Sequence, residues 1–489
     1  MQKMNEKIRK FNVKLYVLLP VTILIVIALW LVPSSFFGID GLTVTQQRMI
    51  AIFVFAALMW IFEIIPNWAT SVMVIVIMLL TVSNHGLSFI CKPEFGSLVD
   101  YKSIMASFAD PIIMLFLGGF VMAIVASKYG MDATIAKALL SIFGKKPKFV
   151  LLGFLITISM FSMFMSDTAT AAMMFAFLAP VLKVLPDEEP GKIALTLAIP
   201  VASNLGGIGT PIGTPPNAIV IGALENSGYH IGFLEWMLRM VPFVFVMILF
   251  AWILLRLLFP FKCDKIELKI ETDGHKKTWK DYVAWITFFL TILLWMTESL
   301  TGLSSNIVAL VPLAVFTCCG IFGKDDIKNI SWSVLWLVAG GFALGTGLNK
   351  TGLAAALVNA IPFSSMNVVA VMLVAGIICF FMSTFISNSA TASLLVPILV
   401  VVGSAMADPS AANNAQFLQL GGMYAMIPFL AMCASLAMVF PISTPSNAIA
   451  TSTGLVKTPQ MARVGLTIGL TGYVLAFFLL TKFFPFQMV

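Results

Sequence analysis

The chain has 489 residues, of which 60% are hydrophobic and only 10% charged, with a mean hydropathy of +1.01. That composition excludes a fully water-facing surface, because soluble domains carry about a quarter charged residues. The net charge of +7 gives no sign of a nucleic-acid partner, since the basic residues gather in short loops between apolar runs, as the positive-inside rule requires.

Apolar runs occupy 15–32, 49–62, 70–82, 111–126, 241–259, 282–295, 307–322 and 466–484. With its flanks, each can cross a hydrocarbon core ~30 Å thick as a helix. The alternating ten-residue segments of a β-barrel are absent. The first run follows Lys3, Lys7, Arg9, Lys10 and Lys14. It is too long for a signal peptide and lacks a small-residue cleavage site, so it reads as a retained helix with a cytoplasmic N-terminus.

Farther along, one half of the chain repeats the other. Gly118-Gly119-Phe120 returns as Gly340-Gly341-Phe342, and Lys128-Tyr129-Gly130-Met131 as Lys350-Thr351-Gly352-Leu353. Ser166-Asp167-Thr168 returns as Ser387-Asn388-Ser389, and Thr214-Pro215-Pro216-Asn217 as Thr444-Pro445-Ser446-Asn447. Trp60 and Glu63 have counterparts in Trp295 and Glu298. Blocks repeated in one order mark an internal repeat.

The basic loops 144–148, 262–280 and 324–328 can share the cytoplasmic face only if the stretch after Lys148 enters the membrane and returns. This predicts a re-entrant hairpin over 149–185, and a second over 363–403 entering from the opposite face. The spans 193–224 and 423–453 are interrupted by Gly206 to Pro216 and by Pro441 with Pro445, so both should be broken helices.

The expected fold is therefore an all-α polytopic membrane protein of about eleven transmembrane helices plus two re-entrant hairpins, in two inverted-topology repeats. Residues 1–40 hold the N-terminal segment and first helix. The first repeat takes 41–260, with 41–130 as scaffold and 131–260 as transport part. A cytoplasmic linker covers 261–280. The second repeat takes 281–489, with 281–349 as scaffold and 350–489 as transport part, and a periplasmic C-terminus.

Inverted symmetry brings the two hairpin tips and the two helix breaks to one depth. Each precedes a new half-helix, whose free N–H groups and partial positive charge favour an anion. No Lys or Arg lies in these motifs, so the anion would be held by amides, hydroxyls and co-bound cations. Ser, Asp and Asn at such places also act as plain N-caps, and the two roles can coexist.

These paired tips and Thr-Pro motifs resemble those of the divalent-anion/sodium symporter family, whose members carry succinate, malate, fumarate, citrate or sulfate. The resemblance runs from about Val44 to the C-terminus. It implies a homodimer in the bacterial inner membrane, in which a transport part moves like an elevator against a scaffold. Carried over by position, it implies substrate contacts at Asp167, Thr168, Thr214, Asn388, Ser389, Thr444 and Pro445. It implies one Na⁺ site at Ser162, Ser166, Asp167 and Gly213, and a second at Ser383, Ile386, Asn388 and Ser443, partly through backbone carbonyls. Oxygen ligands of this kind suit a hard cation.

Two positions depart from the family pattern. Ser389 replaces a frequent Thr and keeps the hydroxyl. Asp167 replaces Asn, and its charge beside an anionic substrate calls for a cation or a proton.

Elsewhere, Glu63 and Glu298 lie at helix ends, Asp110 reads as an N-cap, and His85, His230 and His275 fall in loops without clustering. The six cysteines include no CxxC pair. No Walker loop, HExxH or Gly-x-Ser-x-Gly motif occurs, so neither ATP drive, hydrolysis nor an organic cofactor is indicated, and a membrane enzyme or channel finds little support. The leading expectation is Na⁺-coupled symport of a C4-dicarboxylate. The alternative is a Na⁺-independent or proton-coupled dicarboxylate or citrate exchanger of the same fold.

Overall fold

The computed structural model describes residues 14–266 and 278–483. Lys3, Lys7, Arg9, Lys10, His275, Lys276 and the C-terminal end lie outside them. Among the described residues every regular element is a helix, and β-pairing is limited to an isolated bridge between Ser83 and Val99. Eight helices are long and apolar enough to cross a membrane, and shorter apolar helices accompany them.

Helix α1 (Leu19–Leu31) exposes Val21, Leu24, Ile27 and Leu31, as a lipid-facing element should. The Gln47 amide closes its end by donating to the Leu29, Trp30 and Val32 carbonyls at 3.0, 3.3 and 2.6 Å. The chain then runs through one helix order twice, apart from short connecting turns. The first pass is α2 (Val44–Phe62), α3 (Asn67–Thr81), α4 (Pro111–Lys128), α5 (Met131–Ile142), α6 (Pro147–Ser162), α7 (Asp167–Val184), α8 (Gly191–Gly207), α9 (Pro215–Glu225) and α10 (Phe233–Leu258). The second is α11 (Trp279–Met296), α12 (Ser305–Cys318), α13 (Trp332–Lys350), α14 (Leu353–Ala360), α15 (Val368–Phe385), α16 (Asn388–Ala407), α17 (Gly422–Ser435), α18 (Pro445–Ser452) and α19 (Thr458–Phe478).

Both expected helix breaks are present, between α8 and α9 and between α17 and α18. The two expected hairpin stretches each fold as two helices joined by a tight turn, α6–α7 and α15–α16, with arms longer than a short re-entrant element requires. Helices α7, α15 and α16, of 18, 18 and 20 residues, extend about 27–30 Å and are as long as spans. The apolar run 307–322 behaves differently from its hydropathy. Helix α12 is pinched at Ala309, because Pro312 has no N–H to donate to the Val308 carbonyl.

The halves interlock reciprocally. The third helix of each packs on the second of the other, α13 on α3 and α4 on α12. The repeated glycines allow this approach. A Cβ on Gly118 would lie 2.1 Å from the Ala309 carbonyl oxygen, and one on Gly340 would lie 2.4 Å from Ser71 Cβ. Matching tryptophans pin matching corners: Trp60 Nε1 donates to the Asn67 carbonyl at 3.2 Å, and Trp295 Nε1 to that of Ser305 at 3.0 Å. The second half-helix of each break also crosses over, α9 packing on α16 and α18 on α7.

Polar contacts gather several basic loops. The Ile266 N–H donates to the Lys145 carbonyl at 2.9 Å, and Glu189 accepts from the Lys262 and Cys263 N–H groups at 2.9 and 3.1 Å. Lys128 donates to the Ile321 carbonyl and to Asp326 at 2.8 and 2.7 Å. Its repeat-mate Lys350 is exposed and makes no hydrogen bond or ion pair among the described residues.

Candidate functional site

The hairpin tips and helix breaks surround one cavity of about 530 Å³. Each tip is an N-cap: Ser166 Oγ accepts from the Ala169 N–H at 3.3 Å, and Ser387 Oγ from that of Ala390 at 3.2 Å. Asp167 and Asn388 therefore sit one residue inside their helices and do not cap them. Behind them lie the buried Ser162 and Ser383. Ser162 Oγ is 2.6 Å from Asp167 Oδ1 and 2.7 Å from the Ser203 carbonyl. Ser383 Oγ is 2.8 Å from Asn388 Oδ1 and 2.9 Å from the Ala434 carbonyl.

A hydroxyl has one proton, so it cannot donate to two acceptors at once. At Asn388 the conflict vanishes if the amide is turned, because its NH₂ then donates to Ser383. Asp167 has no such option as a carboxylate. Its approach to Ser162 is satisfied by a proton on Asp167 or by a cation held between the oxygens.

The broken backbone is held by asparagines. Asn217 Nδ2 donates to the Gly207 and Thr210 carbonyls at 2.9 and 2.7 Å, and Asn447 Nδ2 to those of Met438 and Phe440, both at 2.9 Å. These bonds satisfy carbonyls that the interrupted helices leave unpaired. Each break is also tied to its hairpin turn, by Thr210 Oγ1 donating to the Met163 carbonyl and Ser443 Oγ donating to that of Thr384.

Asp167, Thr168, Thr214, Asn388, Ser389, Thr444 and Pro445 all line the cavity, as do Ser166, Gly213 and Ser443. Ser162, Ser383 and Ile386 are buried and do not line it. The paired threonines differ. Thr444 Oγ1 caps its helix through the Asn447 N–H at 3.2 Å and receives Asn204 Nδ2 at 3.3 Å, whereas Thr214 makes no cap.

The cavity also takes Phe116, Phe120, Asn204, Ser331 and Ser333, none expected as site residues. Phe120 was visible in a repeated block. Asn204 lies inside an apolar helix, and Ser331 and Ser333 open α13 without a local motif to mark them. Among the described residues, no lysine or arginine lines the cavity. Of the two capping serines, Ser387 is tied to α3, Asn67 Nδ2 donating to its Oγ at 3.2 Å, and Ser166 has no such partner among the described residues.

Among the described residues, no acid other than Asp167 and no histidine lines the cavity. Asp110 caps α4 through the Ile112 N–H at 2.9 Å. Glu298 accepts from the Phe233 and Ser305 N–H groups at 3.3 and 3.2 Å. His230 lies 3.3 Å from Glu225 and 3.8 Å from Glu298, and its hydrogen bond to Glu225 raises the imidazole above its ordinary pKa.

The family model described as citrate transporter matches residues 57–421. A sodium-dependent dicarboxylate transporter of Staphylococcus saprophyticus is 30% identical over 472 residues, covering 89% of this chain and 85% of that protein. One from Staphylococcus aureus is 27% identical over 485 residues, covering 91% and 88%. Among solved structures, the YdaH transporter of Alcanivorax borkumensis, reported with an unusual topology, aligns with a TM-score of 0.55 at 12% identity. It covers 86% of this chain and 99% of that one, a likeness of fold alone.

Proposed function

The chain belongs to the citrate transporter family and is a multi-pass membrane protein, and we propose that it is a secondary transporter coupling Na⁺ to uptake of a C4-dicarboxylate such as succinate, malate or fumarate. The observation that carries this reading is the cavity lined by both hairpin tips and both breaks without any lysine or arginine. The N-termini of α7 and α16 and the hydroxyls of Thr168, Thr214, Ser389 and Thr444 offer donors to two carboxylates, and the charge left over calls for co-bound cations. The names of the relatives point to the same pair of solutes.

In this reading Asp167, Thr168, Thr214, Asn388, Ser389, Thr444 and Pro445 contact the anion. One Na⁺ lies among Ser162, Ser166, Asp167 and Gly213, and another among Ser383, Ile386, Asn388 and Ser443. The two halves are inverted repeats, with eleven spans and two hairpins. The basic loops gathered by Lys145, Glu189 and Lys262 face the cytoplasm. The hairpins and broken helices move together against a scaffold that also forms a homodimer in a bacterial inner membrane.

The test is initial uptake of labelled succinate into proteoliposomes with and without an inward Na⁺ gradient. The gradient should accelerate uptake. Equal exchange without Na⁺ would favour the exchanger, and no uptake of succinate, malate, fumarate or citrate would reject the reading. Proton coupling has one observation in its favour, the Ser162–Asp167 contact that a protonated Asp167 satisfies.

A further inference from the structure

Helix α13 is 19 residues long, about 28 Å, and its two ends line different spaces. Ser331, Ser333 and Val334 at its start face the central cavity. Residues 341–350 wall a separate cleft of about 490 Å³, closed on its other sides by α9 and by α16 around Pro397. These three elements are the repeat-mates of α4, α18 and α7, which contribute Phe116, Pro445 and Ala172 to the central cavity. The cleft is thus built, at the opposite end of α13, from the repeat-mates of elements that wall the central cavity. Phe342 fills the space beside Gly222, where a Cβ would come within 2.2 Å of the ring, and Gly341 lies against Ser393.

The charge of the cleft differs from that of the cavity. Lys350 lines it and is exposed, with no hydrogen bond or ion pair among the described residues. Lys128, at the equivalent place in the first half, is committed to Asp326 and the Ile321 carbonyl. Asn226, Thr346 and Asn349 add amides and a hydroxyl. The nearby acids on the facing lip have partners: Asp110 holds the Ile112 N–H and Asn226 Nδ2 at 2.9 and 3.4 Å, and Glu225 holds His230.

We propose that this cleft is a second, peripheral anion site, which captures a dicarboxylate before it reaches the central cavity, with Lys350 as the attracting group. The inference rests on the transport reading above. An unpaired cation at the mouth of a low-dielectric cleft raises the local concentration of a dianion, and the gain falls with ionic strength.

The test compares wild type, Lys350→Arg and Lys350→Glu in succinate uptake at low and high ionic strength. Lys350→Glu should raise the apparent KM about tenfold at low salt with little change in maximal rate. The difference should shrink at high salt, and Lys350→Arg should behave as wild type. An unchanged KM in Lys350→Glu, with the wild type transporting normally, would overturn the cleft and leave the transport reading standing.

A second readout needs no transport. A Cβ on Gly345 meets nothing within 4 Å, so Gly345→Cys places a thiol in the cleft without crowding. Anionic thiosulfonate should modify it faster than a neutral one, measured over the unsubstituted protein, and Lys350→Glu should abolish that preference. Equal rates for both reagents with Lys350 intact would reject the site. If wild-type protein takes up no dicarboxylate, the transport reading fails, and this labelling alone decides whether the cleft attracts anions.

Discussion

The two hairpin tips differ in the acid at Asp167, and the bond count around Ser162 gives that difference a consequence. A proton or a cation must accompany the carboxylate there, whereas Asn388 needs neither. Replacing Asp167 by Asn should therefore keep transport but weaken apparent Na⁺ affinity about tenfold, the difference between a charged and a neutral oxygen ligand, roughly 1.4 kcal/mol. If the companion is a proton, wild-type uptake should fall from pH 6 to pH 8, because only the protonated form works, and the Asn variant should be flat. Initial rates against Na⁺ at both pH values decide, and identical curves for both proteins would remove Asp167 from coupling. Asn217 and Asn447 have another kind of role. Changing either to Ala strips the break carbonyls of their buried donor, at a cost of about 1–3 kcal/mol. A lower melting temperature in detergent should report it.

At the scale of helices, the glycines that let the halves interlock separate two effects that usually run together. Gly to Ala in a helix gains up to about 1 kcal/mol from propensity alone, so Gly345→Ala, with open space around its Cβ, should stabilise slightly. Gly118→Ala meets a backbone oxygen at 2.1 Å, which cannot rotate away, and should destabilise by about 1–3 kcal/mol. Thermal unfolding of the two variants should move in opposite directions. These elements also mark how far the sequence could be read. The breaks were legible because proline and glycine act locally, and the repeated blocks tied each break to its mate. The length of the hairpin arms was not legible, since hydropathy does not register a helix that continues as a half-buried arm, and the pinch at Ala309 was hidden within an apolar run. Asn204, Ser331 and Ser333 reach the cavity only through packing between distant segments, which no local pattern records.

For the molecule as a whole, the proposed topology is open to a direct check. A cysteine replacing the exposed Ala412, beside the buried Asn413, should react with a membrane-impermeant reagent applied outside, and one replacing Lys145 should not; the reverse pattern would reject the inverted arrangement. The bond from Asn67 to Ser387 has a consequence on the same scale. Among the described residues it joins α3 to one tip, and the matching position on α12 is Ser305, a shorter side chain. Under the proposed movement of the hairpins against the scaffold this bond breaks in one direction and forms in the other. A net ~0.5–1.5 kcal/mol weights the two resting populations roughly two- to tenfold. Such a carrier is a rectifier: its half-saturation for influx differs from that for efflux even when both solutions are alike. Asn67→Ala should bring the two half-saturation values together while leaving the cavity intact, and paired influx and efflux assays in oriented vesicles would show whether the asymmetry resides in that one amide.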